Sequence, residues 1–161
     1  MDSVVDTAQA SYRILVHRDQ IKEDPELIPF FENRSTSTFY VHTATDDRTA
    51  SYRWIAPGRH IIAYPICGGK VFNMSTAHPD IHFAEGDSWT SSGSRAEMLK
   101  TFEMYNPRVQ KLLHLVPDAD VLEWKLRVHH PLPSWVEGSV CLVGDACHPT
   151  LPRESSATRQ N

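Results

Sequence analysis

The chain has 161 residues, 40% of them hydrophobic and 22% charged, with a formal net charge of −4. That balance fits one soluble globular domain and argues against disorder, and the mild acidity gives no electrostatic reason to expect nucleic acid or an anionic membrane as partner. No apolar run nears the ~20 residues that cross a bilayer. The opening decapeptide MDSVVDTAQA lacks the basic and apolar regions of a signal peptide. Cys67, Cys141 and Cys147 are an odd set without C-x-x-C spacing, which points to reduced thiols and a cytoplasmic location.

In chain order, residues 1–10 read as an N-terminal tail and Ser11 to His17 as a strand by loose alternation. Pro25 to Phe31 reads as a short helix with Asp24 as N-cap and proline at its first position. The polar stretch from Glu32 to Ser51 is expected to be loop with a strand near Phe39 to His42. Three strands follow, over Arg53 to Ala56, His60 to Ile66 and Lys70 to Ala77. The last two are joined as a hairpin through Cys67-Gly68-Gly69, where glycine supplies positive φ. His78 to Gly93, interrupted by Pro79 and Gly86, reads as loop. Ser94 and Glu97 have capping-box spacing ahead of the apolar face Met98, Leu99 and Phe102. Asn106-Pro107 opens a second helix with Val109, Leu112, Leu113 and Val116 at helical spacing. Val121 to Val128 reads as a strand and Pro131 to Gly138 as a turn-rich link. The run Ser139 to Val143 reads as a fully buried strand. Without a regular βαβ rhythm, the fold class expected is α+β with a mostly antiparallel sheet.

Chemistry concentrates where that last run ends. Gly144 permits close approach of a ligand or another backbone, and Asp145 places an acceptor-only carboxylate at the strand end. Read alone, Asp145 equally suits a helix cap. The nine histidines show no H-E-x-x-H pattern; Pro79 separates His78 from His82, and His129 and His130 point to opposite sides of a strand. No metal is expected, and surface histidines are the simpler reading. Cys147 beside His148 is not the spatial arrangement nucleophilic catalysis needs. Asn73 alternates with Phe72 and Met74, so it faces away from them, toward either a pocket or solvent.

The string Gly144-Asp145-Ala146-Cys147-His148-Pro149-Thr150-Leu151-Pro152 resembles the second FAD-binding motif of the single-component flavoprotein monooxygenases, the salicylate-hydroxylase-like aromatic hydroxylases. Trp54-Ile55-Ala56-Pro57-Gly58-Arg59-His60 through Tyr64-Pro65 is similar to the family's W-x-G-P-x-R-H-x-x-x-Y-P segment, with Ala56 where glycine is usual. Gly69 to Met74, Ser88-Trp89-Thr90, Glu97 to Phe102, Trp124-Lys125-Leu126 and Pro131 to Gly138 follow in the family's order. The resemblance runs from about Ser11 to Pro152. It implies that Gly144, Asp145, His148, Pro149 and Pro152 contact FAD, with Asp145 accepting from the ribityl hydroxyls and Pro152 near the flavin ring. It also implies that Tyr64, Pro65 and Asn73 border the substrate cavity, that NAD(P)H is the reductant, and that the substrate is an aromatic or similar small organic molecule. No single catalytic residue is implied.

The family's G-x-G-x-x-G unit, which holds the FAD pyrophosphate on a helix N-terminus, has no counterpart here. The resemblance therefore assigns residues 11–138 to the substrate-binding region and 139–152 to one strand and the Gly-Asp motif of the FAD domain. Residues 153–161 read as a disordered tail. Two functions follow: a fragment of a flavin-dependent hydroxylase that needs its missing half, or a non-catalytic truncated paralogue acting as a small-molecule or protein interaction module, whose partner is a full-length paralogue.

Overall fold

The computed structural model describes residues 4–21, 24–32, 51–81, 88–147 and 151. Its centre is strand β1 (Val4–His17), followed by α1 (Arg18–Ile21), α2 (Ile28–Glu32), β2 (Tyr52–Ala56), β3 (Arg59–Ile66), β4 (Val71–Pro79) and β5 (Thr90–Ser92). Then come α3 (Arg95–Thr101), α4 (Pro107–His114), β6 (Leu122–His129), β7 (Val136–Glu137) and β8 (Val140–Cys141). Six strands form one sheet in the order β2-β3-β4-β1-β6-β5, every pairing antiparallel, and β7-β8 form a separate two-stranded sheet. The fold is thus α+β with a mostly antiparallel sheet, as the sequence predicts.

β1 alternates strictly from Tyr12 to His17. Tyr12, Ile14 and Val16 are fully buried, while Arg13, Leu15 and His17 are exposed. The same parity runs through β3 and β4, where Ile61, Ala63, Phe72 and Met74 join the core. Met98 and Phe102 of the α3 segment and Val109, Leu112 and Leu113 of α4 cover this face, with Phe30 and Phe31 of α2 at its other end. One face of the sheet is therefore core and the other carries no helix among the described residues.

The helix starts follow their sequence signals. Ser94 Oγ accepts from the Glu97 amide at 3.4 Å, and Asn106 Oδ1 accepts from the Arg108 and Val109 amides, both at 3.1 Å. These bonds satisfy donors that the first helical turn leaves without partners. The β3–β4 hairpin turns through Cys67, Gly68 and Gly69, all with positive φ (52°, 67° and 83°). Two glycines in the left-handed region make this tight reversal sterically cheap.

Several expectations are corrected. Residues 4–10 are not a tail but the first half of β1, paired with β6 from Val4 onward across a bulge between Asp6 and Gln9. The expected helix over Pro25 to Phe31 begins only at Ile28. Asp24 instead organises a turn, its carboxylate accepting from the Glu26 amide at 2.9 Å and its carbonyl from Leu27 and Ile28. Thr90–Ser92, expected as loop, pairs with Leu122 to Trp124 of β6, an edge strand too short to show periodicity. The run over Ser139 to Val143 is not a buried strand: only Val140–Cys141 is paired as a strand, and Val140 and Val143 are 67% and 72% exposed. Its apolar composition indicates a need for cover, but no sheet neighbour beyond β7 supplies it among the described residues. Expectations for Phe39 to His42 and for 153–161 lie outside the described residues.

The histidine expectation also fails at His78, which is completely buried in the core with Glu123. His78 Nε2 donates to Glu123 Oε1 at 2.8 Å, linking β4 to β6 across β1. Its Nδ1 faces Thr76 Oγ1 at 3.4 Å, and that hydroxyl oxygen accepts from the Tyr12 amide at 2.8 Å. The Tyr12 ring stacks on His78 with centroids 4.4 Å apart, and Phe102 packs edge-on against both. Burial, and then the Glu123 carboxylate, push the Tyr12 phenol well above its usual range.

Removing one partner of a buried hydrogen bond to a carboxylate leaves the other unsatisfied, at a cost of about 3 kcal/mol. Glu123→Ala is therefore expected to destabilise the protein by about that amount in chemical denaturation, and the double change His78→Leu/Glu123→Met to recover most of the loss. Asn106→Ala, which deletes two capping bonds, is expected to cost about 1 kcal/mol in the same assay.

Candidate functional site

Parity decides which of the sequence-assigned residues come together. Tyr64 and Asn73 are directly opposed in the β3–β4 ladder, and Leu15 of β1 is opposed to Asn73. Directly opposed residues share a face, so Tyr64, Asn73 and Leu15 form one row on the face away from the helices. Tyr64 and Leu15 are exposed there, and Asn73 is half-buried. The next row is Arg53, Ile62, Ser75, Arg13 and Leu122. At the far end of the same face Ser11, His60 and Ala77 are buried.

Pro65 is not part of this row. It opposes Phe72 and is buried on the helix-covered face, because successive residues of a strand point to opposite sides. Of the three residues assigned to the substrate cavity, the structure brings together Tyr64 and Asn73 and separates Pro65 from them. Arg13, Leu15 and Trp124 also lie on this face, without having been expected as site residues. The alternation in Ser11 to His17 carries the signal for the first two, since every second residue there must leave the core.

The Gly-Asp motif follows β8. Gly144 adopts φ 61°, and Gly144–Ala146 forms one 3-10 turn closed by the Cys147 amide on the Gly144 carbonyl at 3.0 Å. The Cys147 thiol also donates to that carbonyl, at 3.1 Å, and its side chain is buried. A Cβ at position 144 would meet nothing within 4 Å, so the positive φ alone calls for glycine here. Asp145 is exposed, and no side-chain cap bond closes the turn. Its carboxylate has no hydrogen-bond or ionic partner among the described residues, so all its acceptor sites remain open to a polyhydroxylated ligand. An exposed carboxylate of this kind is chemically compatible with the hydroxyls of a ribityl chain, and Asp145 is the described residue that would hold it. His148, Pro149 and Pro152 lie outside the described residues. No cluster of three or more metal-ligating side chains occurs among the described residues, nor is any described helix long and apolar enough to cross a membrane.

The chain is similar to FAD-dependent monooxygenase ntnJ of Nectria sp, at 34% identity over 146 residues, covering 91% of this chain and 31% of that protein. It is also similar to a 6-hydroxynicotinate 3-monooxygenase of Bordetella bronchiseptica, at 37% identity over 101 residues, 62% of this chain and 26% of that one. Its homologues are FAD-dependent monooxygenases. Among solved structures, a salicylate hydroxylase in complex with substrate superposes on 94% of this chain with a TM-score of 0.64 at 23% identity, using 34% of its own length. That likeness establishes the shared fold. No protein-family model matches the chain. The chain spans about a third of the length of the curated relatives it matches.

Because Tyr64 and Asn73 lie on the face without helices, their side chains are expected to contribute little to folding. Tyr64→Ala and Asn73→Ala should each change stability by no more than about 0.5 kcal/mol in urea titration, in contrast to the large loss expected at Glu123.

Proposed function

We propose that this chain provides the substrate-binding sheet and one cofactor contact of an FAD-dependent, NAD(P)H-using monooxygenase that hydroxylates an aromatic or similar small organic molecule. Homology to FAD-dependent monooxygenases over 91% of the chain carries this reading. The open carboxylate of Asp145 supports it locally. FAD, when bound, supplies the activation of molecular oxygen, a chemistry no side chain provides. The chain's own residues do the rest: Asp145 accepts hydroxyl hydrogens and fixes the cofactor's position, Gly144 sets the backbone turn that presents it, and the Tyr64–Asn73 row offers one aromatic ring and one amide to the substrate. A planar substrate lying on the sheet would be held by ring contact with Tyr64 and oriented by the Asn73 amide, while the apolar Ile62 and Leu15 exclude water from beneath it.

A second reading, a non-catalytic interaction module, draws support from the exposed apolar surface of the β7–β8 segment. Trp135, Val136, Val140, Leu142 and Val143 are between 36% and 72% exposed, a cluster of the kind that marks contact with another protein surface. The two readings meet if that surface receives the nucleotide-binding half of a monooxygenase.

Titration of FAD with the purified protein, followed by quenching of flavin fluorescence, tests the first reading. Binding is expected once the nucleotide-binding half of a homologous enzyme is added, and Asp145→Ala should weaken it about tenfold, the equivalent of about 1.4 kcal/mol for a hydrogen-bonded charged acceptor. Absence of quenching at micromolar protein, alone and with the nucleotide-binding half of a homologous enzyme added, would favour the interaction module instead.

A further inference from the structure

The stretch Asp24-Pro25-Glu26-Leu27-Ile28-Pro29-Phe30-Phe31-Glu32 closes one end of the core without belonging to the sheet. Leu27, Phe30 and Phe31 are buried, at the spacing of one helical face. Its three carboxylates, Asp24, Glu26 and Glu32, each meet a cation from a helix outside the stretch. Lys111 of α4 reaches both Asp24, at 3.4 Å, and Glu26, and Arg18 of α1 pairs with Glu32. The Glu26 amide, and then Lys111, hold the Asp24 carboxyl below its usual range, while Glu26 holds the Lys111 ammonium above its own. At five residues, α2 is far below the length at which a helix is stable alone. Docking therefore maintains it.

The docked side of the stretch leads to the tip of the β3–β4 hairpin. The ring centroids of Phe31 and Phe30 lie 5.3 and 5.7 Å from that of Phe72. Phe30 also packs edge-on against Tyr52 at 5.0 Å, and the Tyr52 hydroxyl donates to the Pro29 carbonyl at 3.2 Å. The Phe31 carbonyl passes so close to Gly69 that a Cβ there would stand 3.4 Å from it. Phe72 opposes Pro65 in the ladder, and the next pair is Asn73 with Tyr64, facing the other side. Displacing Phe31 thus removes packing from beneath the segment that carries Tyr64 and Asn73.

We infer that Asp24 to Glu32 is a strap latched by ion pairs, with Lys111 as the latch, and that its docking sets the order of the hairpin tip bearing Tyr64 and Asn73. The buried phenylalanines hold the strap in place. The ion pairs, at least 30% exposed on both side chains, are individually weak and screened by salt, so they tune how often the strap lifts. Ionic strength is thereby felt on the opposite side of the sheet, through Phe31, Phe72 and the β4 backbone. The coupling needs no flavin and holds for whatever molecule that face receives.

Amide hydrogen exchange of the 161-residue protein, followed residue by residue by NMR, tests the latch. The Leu27, Ile28 and Phe30 amides, bonded to the carbonyls of Asp24, Asp24 and Leu27, report the strap; the amides of β1 report the sheet. Raising sodium chloride from about 0.05 to about 0.5 M is expected to speed strap exchange about threefold and to leave β1 unchanged. Lys111→Met, which keeps the aliphatic stem, should show the faster rate at both concentrations. Swapping the partners, Glu26→Lys with Lys111→Glu, should restore part of the salt-sensitive protection, which a purely packing role for Lys111 would not do. The Tyr64 and Asn73 backbone signals should move with salt in the parent and stay fixed in Lys111→Met. Strap exchange that is equal in parent and Lys111→Met, or indifferent to salt, would overturn the latch. So would faster exchange throughout β1 in Lys111→Met, since the lysine would then support the whole fold. Tyr64 and Asn73 signals that do not follow the strap would overturn its hold on the hairpin. The monooxygenase reading stands or falls apart from this, by the flavin titration.

Discussion

A sheet with helices on one side only must sort its side chains by parity, and in this molecule the sorting is enforced by the central strand. β1 lies between β4 and β6, and its even-numbered residues from Tyr12 to Val16 are sealed into the core. A slip of one residue would send Tyr12, Ile14 and Val16 to the open face and bring Arg13 under the helices, a change that costs several buried side chains and an unpaired charge at once. The registers of β3 and β4 follow from β1, and with them the placement of Tyr64 and Asn73 on one side and Pro65 on the other. The chemistry of the open face is thus set by the packing of the covered one.

Within that covered face, the pair His78–Glu123 interrupts a largely apolar core. It sits among Tyr12, Thr76 and Phe102, and its partners use every hydrogen-bonding position on the imidazole ring. Buried polar groups arranged this way contribute less to net stability than an apolar replacement would, but they tolerate only one alignment of the strands that carry them. Because His78 is on β4 and Glu123 on β6, the pair ties the two neighbours of β1 in a single register. This offers a physical reason for polar residues at a position where leucine would pack.

Much of the fold was legible in the sequence. The caps at Ser94 and Asn106, the apolar faces of α3 and α4, and the hairpin at Cys67 to Gly69 are local features, fixed by residues within a few positions of one another. Non-local features were not legible. The burial of His78 depends on a glutamate 45 residues away, and the strand at Thr90–Ser92 exists because β6 offers an edge to pair with. The apolar run at Val140 to Val143 misled for the opposite reason: composition expresses a preference for burial but cannot supply the surface that fulfils it. In the candidate site, Asp145 and Tyr64 are expectations that come from the family resemblance, not from the fold. The separation of Pro65 from its neighbour Tyr64 required only alternation, whereas the row joining Tyr64, Asn73 and Leu15 needed the register of three strands.

The two-residue ladder of β7 and β8 has a thermodynamic consequence for the motif it carries. A lone hairpin of this size is barely stable in water, so its amides should open to hydrogen exchange at a small fraction of the free energy that protects β1. Any partner that grips the Gly144–Asp145 turn must therefore first order the segment, and that ordering entropy is subtracted from the affinity. In return the turn becomes a reporter. Slowed exchange at Val140 and Cys141 would register occupancy at Asp145 even for ligands that leave the six-stranded sheet unchanged.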